Sequence, residues 1–332
     1  MSVPMVSSPA CAQVGIAINS KATEDTNFET TEIIPQMRQT IRRFIARLPQ
    51  NGIRFDPPVI TTLQPAATKE ALRLGIDMTA VQRWMVWSCE LIENFYPEHP
   101  LDLKVILVIC SIVIFYIDDK MANEDHANMH LFPAHLVSGS PQADPILHVL
   151  ATHLLPSMWT YFHPLAANCI AVSFIEFING TVIEGMGISR DTVKAPAFPE
   201  YVRTKSGIPT PYAFWLFPKA KFPDMQTYIQ AIPDLVGFIN HTNDVFSVYK
   251  EELAGETDNY VHMRAQVAET GVLSALERIC DETVEEMERI TAQLKDSEEA
   301  YRTFFENVLG GYVRFHMSTT RYRMRELLET AD

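Results

Sequence analysis

The stretch IPDLVGFINHTNDVFSVYKE, residues 232–251, carries both the fold class and the first sign of chemistry. Ile232, Leu235, Val236, Ile239, Val245, Phe246 and Val248 make it strongly apolar, at the three- and four-residue spacing of a helix. Between them, Asn243, Ser247 and Glu251 stand four residues apart. Steps of four advance by about 40° each, so the three oxygen-bearing side chains fall within about 80° of one another. On so apolar a helix, this polar stripe is expected to face a cavity rather than bulk water. An amide oxygen, a hydroxyl and a carboxylate form a hard, partly neutral ligand set. Such a set suits Mg²⁺, which keeps several waters and takes one or two carboxylates plus phosphate oxygens. Lys250, seven residues after Asn243, returns to the same face with a positive charge. Singly, each residue reads as part of a solvated polar face. The joint pattern N-D-x-x-S-x-x-x-E arises by chance in roughly one of several hundred chains of this length.

A second acidic feature lies upstream. Residues 105–117 run without a charge and then meet Asp118 and Asp119. The run is shorter than the ~20 apolar residues a membrane span needs, so it reads as a buried helix whose last turn opens into a pocket. Adjacent carboxylates repel unless a divalent cation or a hydrogen-bond network stands between them. Acids at a helix C-terminus are also disfavoured by the dipole. Asp118 is expected to bind a metal, with Asp119 in a supporting place behind it. Phosphate oxygens fit arginine's planar fork, and Arg203 and the pair Arg321-Tyr322 are the candidates.

In order and spacing, Asp118-Asp119, the Asn243/Ser247/Glu251 triad with Lys250, Arg203 and Arg321-Tyr322 resemble the motifs of the class I terpene cyclases. In particular, they resemble the fungal trichodiene synthase-like sesquiterpene cyclases, from about residue 80 to 330. The resemblance implies an all-α, single-domain bundle with the active site in its core. It implies Asp118, Asn243, Ser247 and Glu251 as ligands of three Mg²⁺ ions. Arg203, Lys250, Arg321 and Tyr322 are implied as the groups that bind the diphosphate. Farnesyl diphosphate as substrate and a sesquiterpene hydrocarbon or alcohol as product also come from the resemblance. One departure stands out: the usual D-D-x-x-D/E motif has Ala122 at its fifth position here, with Glu124 and Asp125 the next acids. Whether either substitutes for the missing acid stays open.

Composition bounds the reading. In a chain of 332 residues, 47% hydrophobic, no linker breaks the composition after residue 30, which points to one domain over 31–332. Residues 1–30 lack amphipathic period and are expected to form a flexible leader rather than a secretory signal. Cysteines 11, 89, 110, 169 and 280 show no paired or metal-ligand spacing, which fits a reducing cytoplasm. A net charge of −14 argues against nucleic acid and anionic membranes as partners. Oligomeric state stays open, a homodimer included.

Helical periodicity marks 31–48, 70–95, 101–118, 144–156, 165–185, 223–253, 270–294 and 297–329, with no convincing strand. Pro97, Pro100, Pro209 and Pro211 read as breaks, and Pro233 as a kink or a fresh helix start. An allylic carbocation needs a dry apolar cavity, and aromatic faces stabilise cations. Wall material is at hand in Phe115, Tyr116, Phe174, Phe177, Trp84, Trp87, Phe214 and Trp215, with Phe115 foremost, one turn before Asp118. Gly180 is expected to break its helix beside the cavity. Three alternatives remain: a chain-elongating prenyltransferase, a cyclase of geranyl or geranylgeranyl diphosphate, and a non-catalytic binding protein on this scaffold.

Overall fold

Helices alone make up the regular structure of the described residues. This computed structural model describes residues 20–49, 58–122, 126–188 and 190–329, and side chains for 33–49, 58–119, 129–188 and 190–328. Most of the leader expected over 1–30 lies outside the described residues, and a helix, Ser20–Arg47, overlaps its end. Cys11, Glu124 and Asp125 lie outside them as well.

The apolar run behind Asp118 belongs to the helix Leu101–Ala122, buried almost throughout. The segment packed against it is not one helix over 70–95 but two, Leu63–Arg73 and Met78–Phe95. Gly75, at φ 77°, makes the turn between them. Asp77 then caps the second helix by accepting from the Thr79 backbone N–H at 2.9 Å. Local turn chemistry outweighs a continuous apolar period here.

Pro233 opens a new helix, Ile232–Ala254, at a position where its missing N–H costs nothing. Gly255, at φ 73°, ends it, and Glu256 N–H reaches back to the Glu251 carbonyl at 2.9 Å. This cap holds Glu251 in the last turn. Val272–Leu294 and Ser20–Arg47 pack on one side of that helix. Pro209–Trp215, where Pro209 and Pro211 were expected to break the chain, is itself a short helix with proline in its first turn.

Pro164–Glu184 is long and apolar enough to cross a membrane, but half of its most apolar window is buried inside the bundle. Gly180 does not break it. A Cβ there would stand 2.7 Å from the Ser206 backbone nitrogen, so the missing side chain lets the helix Phe198–Ser206 lie against it. The C-terminal segment 298–318 is helical with a π-helical stretch, Phe304–Tyr312. There Gly311 admits the Asn94 carbonyl of Met78–Phe95. These close approaches join Pro164–Glu184 to Phe198–Ser206 and Phe304–Tyr312 to Met78–Phe95, and all four contribute side chains to one cavity.

Candidate active site

Two connected chambers open between the helices. The inner one, of about 160 Å³, is lined chiefly by Leu91, Ile114, Phe115, Phe177, Tyr212 and Phe315. The outer one, of about 610 Å³, carries Glu184, Ser247, Glu251 and residues 255–259 on its rim. Asp118, Arg203, Ser206 and Asn243 line both, so the charged mouth and the apolar interior meet at these four residues.

Asp118 projects from the last turns of Leu101–Ala122, is accessible from both chambers, and makes no hydrogen bond or ion pair with any described residue. The surrounding protein desolvates the carboxylate and raises its pKa above the ordinary value, against the pull of Arg321 and then Arg203. Asp119, one residue on, turns away and pairs with Arg83 at 2.5 Å. Helical rotation therefore separates the two carboxylates, and each finds its own surroundings.

Arg203 is the hub. Its Nε donates to Asp244 Oδ2 at 3.0 Å and its Nη2 to Asn243 Oδ1 at 3.0 Å. Gly207 leaves the space that this guanidinium and the Asn240 amide occupy. Burial pushes the Asp244 carboxyl up to about 6 despite Arg203, while Asp244 keeps the guanidinium charged against its own burial. Asp244, sandwiched in the motif between Asn243 and the apolar residues, thus anchors Arg203 rather than facing solvent.

The amide of Asn243 is oriented from behind. Its Nδ2 donates to Tyr322 Oη at 3.0 Å and lies 3.3 Å from His316 Nε2. His316 Nδ1 donates to the Tyr312 carbonyl at 2.9 Å, and burial lowers its pKa to about 3. A neutral ring with Nδ1 protonated leaves Nε2 as an acceptor, which turns the Asn243 oxygen towards the mouth. Ser247 Oγ lies 3.5 Å from the Asp244 carbonyl, and Lys250 Nζ donates to Glu251 Oε1 at 2.8 Å. Lys250 therefore stands at the rim beside Glu251 and lines neither chamber.

Of the expected wall, Phe115 and Phe177 line the inner chamber. Tyr116, Phe174 and Trp215 do not. Tyr116 turns outward and donates to Asp144 Oδ2, Phe174 is fully buried in packing, and Trp215 stacks edge-on against Tyr96 and Tyr212. Their places are taken by Leu91, Ile114, Tyr212, Ile239, Tyr312 and Phe315. His316 and Glu184 were also missed. Neither belongs to a spaced polar pattern, and His316 reads in sequence as one polar residue in a buried helix. Ile208 had a signal of another kind. It holds φ 44° and ψ 44° just before Pro209, a conformation costly for a β-branched residue and disfavoured before proline, and it lines the inner chamber.

The fold and this mouth define an all-α terpenoid synthase. Solved structures of the same architecture include a linalool/nerolidol synthase from Streptomyces clavuligerus, with a TM-score of 0.61 at 15% identity, covering 82% of this chain and 98% of that one. Another is a hedycaryol synthase in complex with nerolidol, with a TM-score of 0.55 at 14% identity, over 82% and 98% of the two chains. Residues 63–332 match the family described as trichodiene synthase (TRI5), and the chain belongs to that family. Terpene synthase BipA of Cochliobolus sativus is 32% identical, over 81% of this chain and 84% of its own. A longiborneol synthase of Gibberella zeae is 30% identical, over 71% and 70%. Monoterpene synthase 25 of Postia placenta is 33% identical, over 68% of each. The chain is accordingly an enzyme, a carbon–oxygen lyase that acts on a prenyl diphosphate.

Proposed function

We propose that this enzyme ionises farnesyl diphosphate with Mg²⁺ and cyclises the allylic cation to a sesquiterpene hydrocarbon or alcohol, releasing diphosphate. The observation that carries this reading is the junction at Asp118, Arg203, Ser206 and Asn243 of a charged mouth with an aromatic interior. A leaving group that must be stabilised and a cation that must be kept dry need those two environments side by side.

The donor set fits Mg²⁺. Among the described residues, no three His, Cys, Asp or Glu side chains cluster closely enough to hold an ion. Neutral oxygens from Asn243 and Ser247, water and substrate phosphate would complete the shells begun by Asp118 and Glu251, as this hard cation prefers. Bound there, Mg²⁺ supplies charge neutralisation as the C–O bond ionises. Arg203 and Lys250 now occupy the Asn243 and Glu251 oxygens. With Arg321 and Tyr322 they are the groups assigned to the diphosphate, so binding exchanges one set of partners for another. Phe115, Phe177, Tyr212, Tyr312 and Phe315 then surround the prenyl chain. The free cysteines at 89, 110, 169 and 280 support a reducing, cytoplasmic setting, and the net charge of −14 one without nucleic acid.

Incubation of the purified protein with Mg²⁺ and geranyl, farnesyl or geranylgeranyl diphosphate, followed by headspace mass spectrometry, tests the proposal. A sesquiterpene from farnesyl diphosphate is expected. Stabilisation by diphosphate and Mg²⁺ without any volatile product would make this a binding protein on the same scaffold. A geranyl substrate is the second reading. It is favoured by the Postia placenta relative and by the modest inner chamber of about 160 Å³.

A further inference from the structure

Arg321 is held in an unusual way. Among the described residues its guanidinium makes no hydrogen bond and no ion pair. Instead it lies 5.3 Å from the ring centroid of Trp87 and 5.4 Å from that of Phe115. The two rings stand edge to face, their centroids 6.2 Å apart. Trp87 comes from Met78–Phe95 and Phe115 from Leu101–Ala122, so the seat is built where these two packed helices meet. Arg321 and Phe115 line the inner chamber, whereas Trp87 lines neither chamber.

A cation–π contact engages the guanidinium's charge and offers it no hydrogen-bond acceptor of the usual kind, so its N–H donors stay available. A salt bridge would immobilise the same side chain but consume those donors. The seat therefore restricts the arginine's freedom before the ligand arrives, and that preorganisation appears as affinity. Phe115 is also a cavity wall, so its removal would confound two effects. Trp87 has no such second role.

We propose that Trp87 is a positioning residue, whose indole face, with Phe115 beside it, holds the Arg321 guanidinium ready for diphosphate with its donors uncommitted. This rests on the assignment of Arg321 to the diphosphate above.

The test is the dissociation constant of inorganic diphosphate, measured calorimetrically with Mg²⁺ on the full-length protein. The proteins compared are the wild type, Trp87→Leu, Trp87→Phe, Arg321→Ala and the double variant Trp87→Leu/Arg321→Ala. Trp87→Leu is expected to weaken binding about three- to tenfold, the cost of ordering one long side chain on binding instead of beforehand. Trp87→Phe, which keeps a ring face, should stay within about twofold of the wild type. In the Arg321→Ala background, Trp87→Leu should add nothing. Wild-type affinity in Trp87→Leu, an equal loss in Trp87→Phe, or the same loss with Arg321 absent would each overturn the proposal. Should Trp87→Leu melt far below the wild type, Trp87→Met makes the same comparison, filling much of the volume without a ring face. If Arg321→Ala alone binds diphosphate as tightly as the wild type, the assignment of Arg321 itself is wrong, and that result is distinct from the others.

Discussion

The mouth and the floor of the cavity are built on opposite rules. At the floor, behind the lining residues Tyr212 and Tyr312, Phe95 stacks on Tyr96 and on Tyr312 with centroids 4.4 and 4.7 Å apart. Tyr96 Oη donates to the Tyr212 carbonyl at 2.7 Å, and His99 Nε2 donates to the Trp215 carbonyl at 2.7 Å. There Tyr96 and His99, beside the loop between two helices, satisfy neighbouring backbone carbonyls, although the buried Trp215 Nε1 has no hydrogen-bond partner. At the mouth, Asp118 and Arg321 face the cavity with no polar partner among the described residues, and Asn243 and Glu251 are guarded by cations. A satisfied polar group stabilises the fold, and an unsatisfied one beside a cavity awaits a ligand. Stability and chemistry are therefore separable by depth, and substitutions at the two ends should fail differently.

The largest effect is expected at the mouth. Asn243→Ala or Glu251→Gln should lower turnover about 10²–10³-fold, in the range of lost transition-state charge stabilisation, with helical circular dichroism retained. Near-normal turnover in a folded variant would remove the triad from the site.

Next comes acid sensitivity at the floor. Burial, against the Trp215 carbonyl, holds the His99 pKa at about 4 rather than 6.5. Below pH 6.5 the unfolded chain takes up a proton that the folded chain refuses. The contribution of His99 is thus complete above pH 6.5, declines as pH falls through the window, and levels off below about 4. A few kcal/mol is the scale of that decline. Melting curves across the window should be flatter for His99→Gln than for the wild type, and parallel curves would show that this ring does not govern the slope.

A smaller loss follows from Tyr96→Phe. It leaves the buried Tyr212 carbonyl without this donor and should cost about 1–3 kcal/mol, while turnover per folded molecule stays near that of the wild type. A fall in turnover larger than the fall in folded fraction would join floor to mouth.

Smallest in stability, but sharpest in contrast, is the pair Phe177→Leu and Phe174→Leu. Phe177 lines the inner chamber and Phe174, three residues earlier, faces packing. Product distribution should change only for Phe177→Leu, as read by gas chromatography.

Much of this was legible in the chain. Helical type is recorded locally, because apolar residues must recur every three or four positions to make one face. The spacing of Asn243, Ser247 and Glu251 is likewise a property of one helix, and the structure sets all three along the outer chamber or its junction. What misled were features whose partners lie far off in sequence. Gly180 read as a helix break, yet its lack of a side chain serves the backbone of Ser206. Tyr116 and Phe115 are adjacent in the same helix, but only one can face the cavity, and the other finds Asp144. The break at Gly75 was lost inside an unbroken apolar rhythm.

Helical class, family motifs and the order of the oxygen and cation donors are written in the chain, since these depend on residue type and on spacing within a single turn or two. Which donors share a cavity depends on how the helices pack in space, and the fold supplied that. It brought Asp118, Arg203 and Asn243 to one junction, set His316 behind the Asn243 amide, and seated Arg321 between Trp87 and Phe115. The reason is physical: helical rotation fixes where a side chain points on its own helix, whereas the neighbour it meets is fixed by how close two backbones can come. In this chain, glycines and packed rings far apart in sequence set that distance.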